Sequence, residues 1–474
     1  MDALVLLPPI LAIGLALWTR EVYLSLFAGL WVGATLIAGG NPILGLRELG
    51  DQLVAVFADA GNTRVVFFCI LVGSLIALVQ ASGGVEGFIR WAQARGWGTT
   101  RRGAELLAWT IGMLIFVESS ITSLTVGAVS RSFFEKLKIP REKLAFYCDA
   151  TSAPVCMMIP LNGWGAYILG LLAAQGIADA SAVGLLASSL VFNFYSWFTI
   201  LFSLVLALTG WSFGPMRRAE QRALTTGQTI REGARPMLAE DVAGLEPVPN
   251  APFHMRDLVL PILVMVGMIF VGLWITGDGN MMAGSGSTSV LWAVSLGIGA
   301  AMVLYSIPRR GKRVMSPVEA TGLILKGASG LLPVTILIVF AFALGQVSRE
   351  LEMGPYLVGL IGGDGPAWWL PSAVFLVGCI IAFTLGSSWS TFAIMIPIAL
   401  PLAEGLGLSP ALLLGAVLAG GVFGDHASPL SDTSIISSMA SASDHIDHVN
   451  SQLPYTLLLA TASLVAFAIA GLVT

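Results

Sequence analysis

Along most of the chain, apolar residues run on for longer than a soluble helix needs. Segments 3–19, 21–39, 63–82, 143–176, 183–211, 257–276, 288–307, 330–348, 409–441 and 452–473 each suffice to cross a bilayer. Two others, 104–137 and 369–405, are too long for one crossing, and each carries a polar tip at its middle. They read as re-entrant hairpins, with arms of about 14–16 residues, roughly 22 Å of helix, that reach midplane and turn back. Residues 42–60, 84–96 and 315–329 are shorter and amphipathic and are expected along the membrane interface. Residues 212–256 form the one long polar stretch and read as a linker between two halves, 1–211 and 257–474. The opening MDALVLLPPILAIGLALW has neither a basic n-region nor a small-residue cleavage site, so it reads as a first membrane helix rather than a signal peptide.

The halves resemble each other. VESSITS (117–123) matches LGSSWST (385–391), which pairs Ser119 and Ser120 with Ser387 and Ser388 and sets Glu118 against Gly386. CDATSAP (148–154) matches GDHASPL (424–430), which pairs Asp149 and Ser152 with Asp425 and Ser428. A repeat of about 270 residues with polar breaks at corresponding places points to the midplane site of a secondary transporter.

Basic residues set the expected topology. RWAQARGWGTTRRG precedes the 104–137 segment and EKLKIPREK follows it, so both ends belong on the cytoplasmic side. The 369–405 segment is flanked instead by Asp364, Gly365 and Glu404, which suits entry from outside. Five crossings per half is an odd number, so the halves are expected to be inverted, with both termini outside. The fold expectation is an all-α polytopic membrane protein of two inverted repeats. It has about ten transmembrane helices, re-entrant hairpins at 104–137 and 369–405, and discontinuous helices at 143–176 and 409–441.

Composition narrows the function. The chain has 474 residues, 56% hydrophobic and 11% charged, against roughly 25% charged in an ordinary soluble domain. Its net charge of -4 says nothing about a partner, because most of the surface is expected to face lipid; the lipid bilayer is the expected partner, and no nucleic acid is expected. No Walker, dinucleotide or zinc spacing is present, so neither ATP drive nor enzyme chemistry has support, and no cofactor is expected. Cys69, Cys148, Cys156 and Cys379 all sit in apolar segments, as buried small hydrophobes do.

A helix broken in lipid survives only where it lines a protein cavity. Breaks at Glu118–Ser123, Asp149–Gly163, Gly386–Thr391 and Gly424–Thr433 therefore define the candidate site. Its carboxylates are Glu118, Asp149, Asp425 and Asp432, each costing on the order of 2.5 kcal/mol at a helix centre on insertion scales. A partly dry carboxylate holds H+ or Na+ but not both well, which is all an exchanger requires. The bland alternative for the three aspartates is capping of half-helix N-termini, and for Glu118 a hairpin tip facing water. Ser119, Ser120, Ser152, Asn162, Ser387, Ser388 and Ser428 supply further oxygens or amides. His426 is either a proton carrier or a satisfied core histidine. Trp164, Asn193, Tyr195 and Trp197 are aromatic and amide candidates for cradling an organic cation or for simple packing. SDHIDHVN (443–450) reads as a solvated cap ahead of the last span, with a metal site as the alternative.

GSSWSTFAIMIPIALPLA (386–403) and GDHASPLSDTSIISSMASASDHIDHVNSQLPY (424–455) resemble the NhaC-type Na+/H+ antiporter family, within a superfamily of inverted-repeat ion transporters. The resemblance implies a sodium-linked secondary transporter in the bacterial inner membrane, and a homodimer as its assembly. It makes Na+ the coupling ion and Ser387, Ser388, Asp425 and Asp432 the Na+ candidates, with Ser428 beside them. Relatives of this type exchange Na+ for H+ or move a small organic solute (a carboxylate, an amino acid or an organic cation) against Na+ or H+, and both readings stay open here.

Overall fold

The computed structural model describes residues 3–19, 22–84, 100–116, 118–236, 247–249, 251–281, 284–308, 313–352 and 367–473, with Gly87, Arg90 and Tyr356. The expected interfacial helix at 84–96 and the flanks Asp364 and Gly365 lie outside the described residues, apart from residues 84, 87 and 90. Among the described residues the protein is helical, with a single isolated β-bridge between Pro236 and Asp444. Six helices among the described residues are long and apolar enough to cross a membrane, and up to nine spans result if each of three bent pairs counts as one. These correspond to nine of the ten expected segments; the tenth, 3–19, is represented by a shorter apolar helix, Leu4–Leu15.

The first hairpin consists of helices Arg101–Leu114 and Ser119–Lys136. It doubles back on itself: the Arg101 guanidinium donates to the carbonyls of Leu137 and Lys138 at 2.9 and 2.7 Å, so start and end touch. The first broken helix follows as Arg141–Ala150, Ala153–Met158 and Gly163–Ala174, bent by 44° before its last piece. In the second half, Leu370–Leu385 and Ser388–Gly405 form the corresponding hairpin, and Pro410–Ala427 and Asp432–Ser441 the corresponding broken helix. Small residues draw hairpin and broken helix together there. A Cβ on Gly420 would lie 2.7 Å from the Phe375 carbonyl oxygen, and one on Gly424 would lie 2.1 Å from the Ala382 side chain.

Three expectations need correction. The single span 183–211 is two helices, Asp179–Val191 and Phe194–Thr209, because Asn193 turns its side chain onto the Ser196 N–H and starts a new helix. The 315–329 segment is not a free interfacial helix. Pro317–Gly330 packs along Ala60–Ala81 through Gly73 and Gly327, where a Cβ on either would meet the other's carbonyl oxygen at 2.4 and 2.2 Å. The last span begins at His445, seven residues before the expected 452, as Leu453 and the helix beyond it continue a turn started by polar residues. The Pro42–Ala58 helix, by contrast, turns 111° from Tyr23–Ile37, as an interfacial helix would.

The polar linker is partly helical and clasps the first broken helix. In Gly214–Thr226, Glu220 accepts from Lys143 at 2.6 Å and Arg101 at 3.1 Å, while Arg222 donates to both oxygens of Glu142. Lys143 is fully buried and is also paired with Glu105 at 2.9 Å. Removing one partner of such a buried set strands a charge at a cost of about 3–5 kcal/mol, so the clasp resists loss of any member. Farther on, Arg231 pairs with Asp447 at 3.0 Å and the Arg235 N–H donates to Asp444 at 2.8 Å. Partial burial works against the Asp444 carboxylate, but N–H donors from Arg235, Asp447 and Ile446 prevail and hold it below its ordinary value. That anchor is therefore in place at neutral pH and is lost as pH falls through the lowered value.

The hairpin closure generates a direct expectation. Cysteines introduced at Gly103 and Lys138 should react with an impermeant thiol reagent from the same side of the membrane. Labelling from opposite sides would make 104–137 a crossing segment.

A carboxylate-lined cavity where hairpin tips meet broken helices

Both hairpins turn at a capping residue. Glu118 starts the helix Ser119–Lys136 and Ser387 starts Ser388–Gly405, with the same extended backbone at the cap (φ -155° and -148°). The Glu118 carboxylate accepts the Ile121 N–H at 2.8 Å, and the Ser387 hydroxyl accepts the Ser390 N–H at 3.3 Å. By capping position Glu118 is opposite Ser387, one residue out of step with the sequence match that set it against Gly386. Both tips border one cavity of about 780 Å³ whose walls include Glu118, Ser119, Ser120, Trp164, Lys326, Ser387, Trp389, Asp425 and Asp432.

The second broken helix stops because Pro429 has no N–H to give the Asp425 carbonyl four residues back. Thr433 and Ser434 hydroxyls donate to that carbonyl at 3.1 and 3.0 Å, and the Gln452 amide donates to the next, that of His426, at 2.5 Å. The Asp425 side chain is buried and spans to the second hairpin. Its Oδ1 accepts the Ser388 N–H at 3.0 Å and its Oδ2 accepts the Ser388 hydroxyl at 2.5 Å. Asp425 thus caps a helix of another element, and the carboxylate charge sits at that helix's positive end. Asp432 is different. It opens the helix Asp432–Ser441, is exposed to the cavity, and among the described residues its carboxylate has no hydrogen-bond or ion-pair partner.

The other sequence candidates divide. Ser119 and Ser120 line the cavity and donate to Glu118 at 3.3 and 3.1 Å. Ser152 and Ser428 are tied to backbone, donating to the carbonyls of Asp149 and Phe383 at 2.9 and 2.6 Å. Asn162 is used up: its amide N–H groups reach the Phe116, Cys156 and Ile159 carbonyls, and its oxygen caps Gly163–Ala174 through the N–H groups of Trp164 and Gly165. It staples the hairpin tip to the broken helix and has no donor or lone pair turned to the cavity. Trp164 packs against Trp389 with ring centroids 5.4 Å apart and planes tilted by 50°, and the Trp389 carbonyl accepts the Tyr167 hydroxyl across the two halves. Asn193 and Trp197 are not among the cavity walls. The four cysteines are buried and free.

Asp149 is not a cap. It lies behind the cavity wall, where its Oδ2 accepts from Ser434 at 2.8 Å and Gln452 at 2.8 Å, with His448 Nε2 at 3.3 Å. His448 is fully buried, so the solvated-cap reading of residues 443–450 fails there. The metal alternative has no support either: among the described residues no group of three His, Cys, Asp or Glu side chains is arranged to hold a metal ion. His426 meets the Tyr195 hydroxyl at 2.9 Å. Sequence reasoning misread His448 and missed Gln452, Ser434 and Ser437, the last of which donates to Ser123 of the first hairpin at 3.2 Å. The signal was available: 445, 448 and 452 lie on one helical stripe, visible once the last helix is started at His445.

Comparison with known proteins agrees with this architecture. The sequence profile of the Na+/H+ antiporter family matches residues 155–472, more than half of the chain. The chain belongs to the Na+/H+ antiporter family. It is 34% identical to an uncharacterized protein of Haemophilus influenzae over 98% of this chain and 90% of that one. Over 23% of its length it is 37% identical to the arginine/ornithine antiporter ArcD of Halobacterium salinarum, of which that stretch is 22%. In fold it is similar to the YdaH transporter of Alcanivorax borkumensis, with a TM-score of 0.56 at 15% identity, covering 90% of this chain and 88% of that one. Family and fold make the chain a multi-pass secondary transporter.

The tip of the second hairpin tests the geometry. Gly386 has φ +66°, and an added Cβ would lie 2.6 Å from the Leu430 backbone. Gly386→Ala should lower stability by at least about 1–2 kcal/mol for the left-handed backbone alone. Gly163→Ala, whose Cβ would find its nearest neighbour at 3.9 Å, should melt close to wild type. Thermal melts followed by size-exclusion chromatography in detergent make the comparison.

Proposed function

We propose that the chain exchanges Na+ for H+ by alternating access, with Asp425 and Asp432 binding the two cations competitively. The observation that carries this reading is Asp432: a carboxylate without a partner among the described residues, exposed in the cavity beside the hydroxyl-rich tips of both hairpins. Ser387 and Ser388 are the hydroxyl candidates for the same ion. Oxygen donors of this kind suit a hard cation, and desolvation makes a proton an effective competitor for it. In this proposal the halves 1–211 and 257–474, joined by a cytoplasmic linker at 212–256, are inverted copies. Their shared order of elements, two helices followed by hairpin and then broken helix, supports that relation. Both termini then face outward from a bacterial inner membrane.

A second reading has its own support. A cavity of about 780 Å³ is far larger than one Na+ needs and falls in the range of small-molecule sites. Its Trp164–Trp389 wall and three carboxylates suit the cationic group of an organic solute. The stretch shared with an arginine/ornithine antiporter fits this as well.

Flux in proteoliposomes separates the two. Na+ added outside should dissipate an imposed pH gradient with no organic solute present, and Asp432→Asn should slow this at least ~10-fold, the equivalent of about 1.4 kcal/mol of lost cation binding. A gradient that collapses only when an organic solute is supplied would favour the carrier, and wild-type flux in Asp432→Asn would remove that residue from the site.

A further inference from the structure

Behind the cavity wall lies a cluster of ionisable groups that Na+ binding at Asp425 and Asp432 does not use. Asp149, His448, Gln452 and His426 are all buried, and each keeps one polar atom without a partner among the described residues: Asp149 Oδ1, His448 Nδ1, Gln452 Oε1 and His426 Nε2. Four such atoms in one place are unusual, since buried polar groups are nearly always paired. Asp149 comes from the first half and the other three from the second.

We propose that Asp149 and His448 together form a proton-binding site separate from the cavity, which takes up a proton when the cavity lacks a cation and releases it when one binds. The tautomer follows from the contacts. His448 Nε2 faces Asp149 Oδ2 at 3.3 Å, so in the neutral ring Nε2 carries the hydrogen and Nδ1 is the bare atom. Uptake forms the Nδ1–H bond and leaves an imidazolium against a carboxylate, a buried pair with no net charge; release breaks the same bond and returns the proton to water. His448 lies only one turn inside the end of its helix, next to Asp447, whose partner Arg231 is exposed, so the polar end of the helix offers a route to solvent without passage through the cavity.

One hydroxyl connects the pair to the cavity. Ser434 Oγ is 2.8 Å from Asp149 Oδ2 and 3.0 Å from the Asp425 carbonyl oxygen, but it has one hydrogen and donates to one of them at a time. With Asp149 compensated by imidazolium, Ser434 is free to donate to the carbonyl. With the proton gone, the bare carboxylate holds the hydroxyl. A positive charge entering the cavity acts across a dry interior, where repulsion of the imidazolium is strong. The titratable groups facing the pair are His426 and Asp425 from the second broken helix, Tyr195 behind His426, and Cys148 on the helix of Asp149 itself. The nearest described cations along that helix, Lys143 and Arg141, are already engaged by Glu105, Glu220 and Glu135.

The inference rests on the Na+/H+ reading, and its test keeps the two apart. Purified protein in lightly buffered detergent solution receives a pulse of NaCl or, as control, choline chloride, and released protons are read with a pH-indicator dye. Wild type should release protons on Na+, and His448→Gln, which keeps a donor towards Asp149 but cannot ionise, should release about one proton fewer per chain. Equal release from both would overturn the second site while leaving the exchanger reading intact. No Na+-evoked release from wild type would overturn both. Should His448→Gln fail to fold, wild type labelled with 15N-histidine answers instead. It has four histidines, and the His448 ring should change from imidazolium to the Nε2–H tautomer as Na+ is added; a ring that keeps one state throughout would refute the proposal.

Discussion

A helix that ends inside a membrane must give its free backbone groups to something other than lipid, and the core of this protein is organised around that requirement. At the second broken helix the freed carbonyls go to Thr433, Ser434 and Gln452, and the free N–H of the Ser388 helix goes to the Asp425 carboxylate. Each unpaired group would cost several kcal/mol in hydrocarbon, so these side chains are fixed by the break itself. Their oxygens are hard donors, and gathering them beside two positive helix ends creates a place where carboxylates are stable. In the proposed exchange, cation binding is then a matter of which oxygens stay free, and among the cavity carboxylates it is Asp432 that does.

A few polar contacts across the centre tie the halves together. Ser434 reaches Asp149, Ser437 reaches Ser123, and Tyr167 reaches the Trp389 carbonyl, so each half completes the polar bonding of the other at the centre. These are few, directional contacts in a region otherwise packed through glycine and alanine. A transporter that rocks one element past another needs a centre of this kind, where a small number of hydrogen bonds can exchange partners without exposing backbone. The linker sits differently. Its ion pairs through Glu220 and Arg222 bind it to the first hairpin and first broken helix, and Arg231 and Arg235 reach the start of the last helix, so it moves with both or restrains them.

Much of the fold was legible in the sequence because lipid imposes one rule on every span: apolar length. The hairpin at 104–137 could be recognised since it was too long for one crossing and basic at both ends, and Arg101 against Leu137 is the contact such a closure requires. The breaks were legible through Pro429, Gly386 and the carboxylates. Hydropathy could not show side-chain economy. Asn162 looked like a ligand because it is polar at a break, yet five hydrogen bonds consume it. His448 looked solvated because it neighbours Asp444 and Asp447, yet it is fully buried: Asp447 lies about 100° round the helix from it and pairs with Arg231, while residues 445, 448 and 452 form a polar stripe that faces inward. The one-residue offset between Glu118 and Ser387 has a similar origin: matching serines align by identity, whereas helix caps align by backbone conformation.

Competition between Na+ and H+ at the cavity carboxylates has one quantitative signature. In isothermal titration of the purified protein with NaCl, the apparent Kd for Na+ should rise by up to about tenfold for each unit of pH lowered once the competing carboxylate is protonated, and should level off above it. An Na+ affinity that stays constant from pH 5 to pH 9 (on the order of four decades of proton activity, ample to expose competition) would mean that Na+ and H+ do not share a site, and would contradict the exchange mechanism at its root.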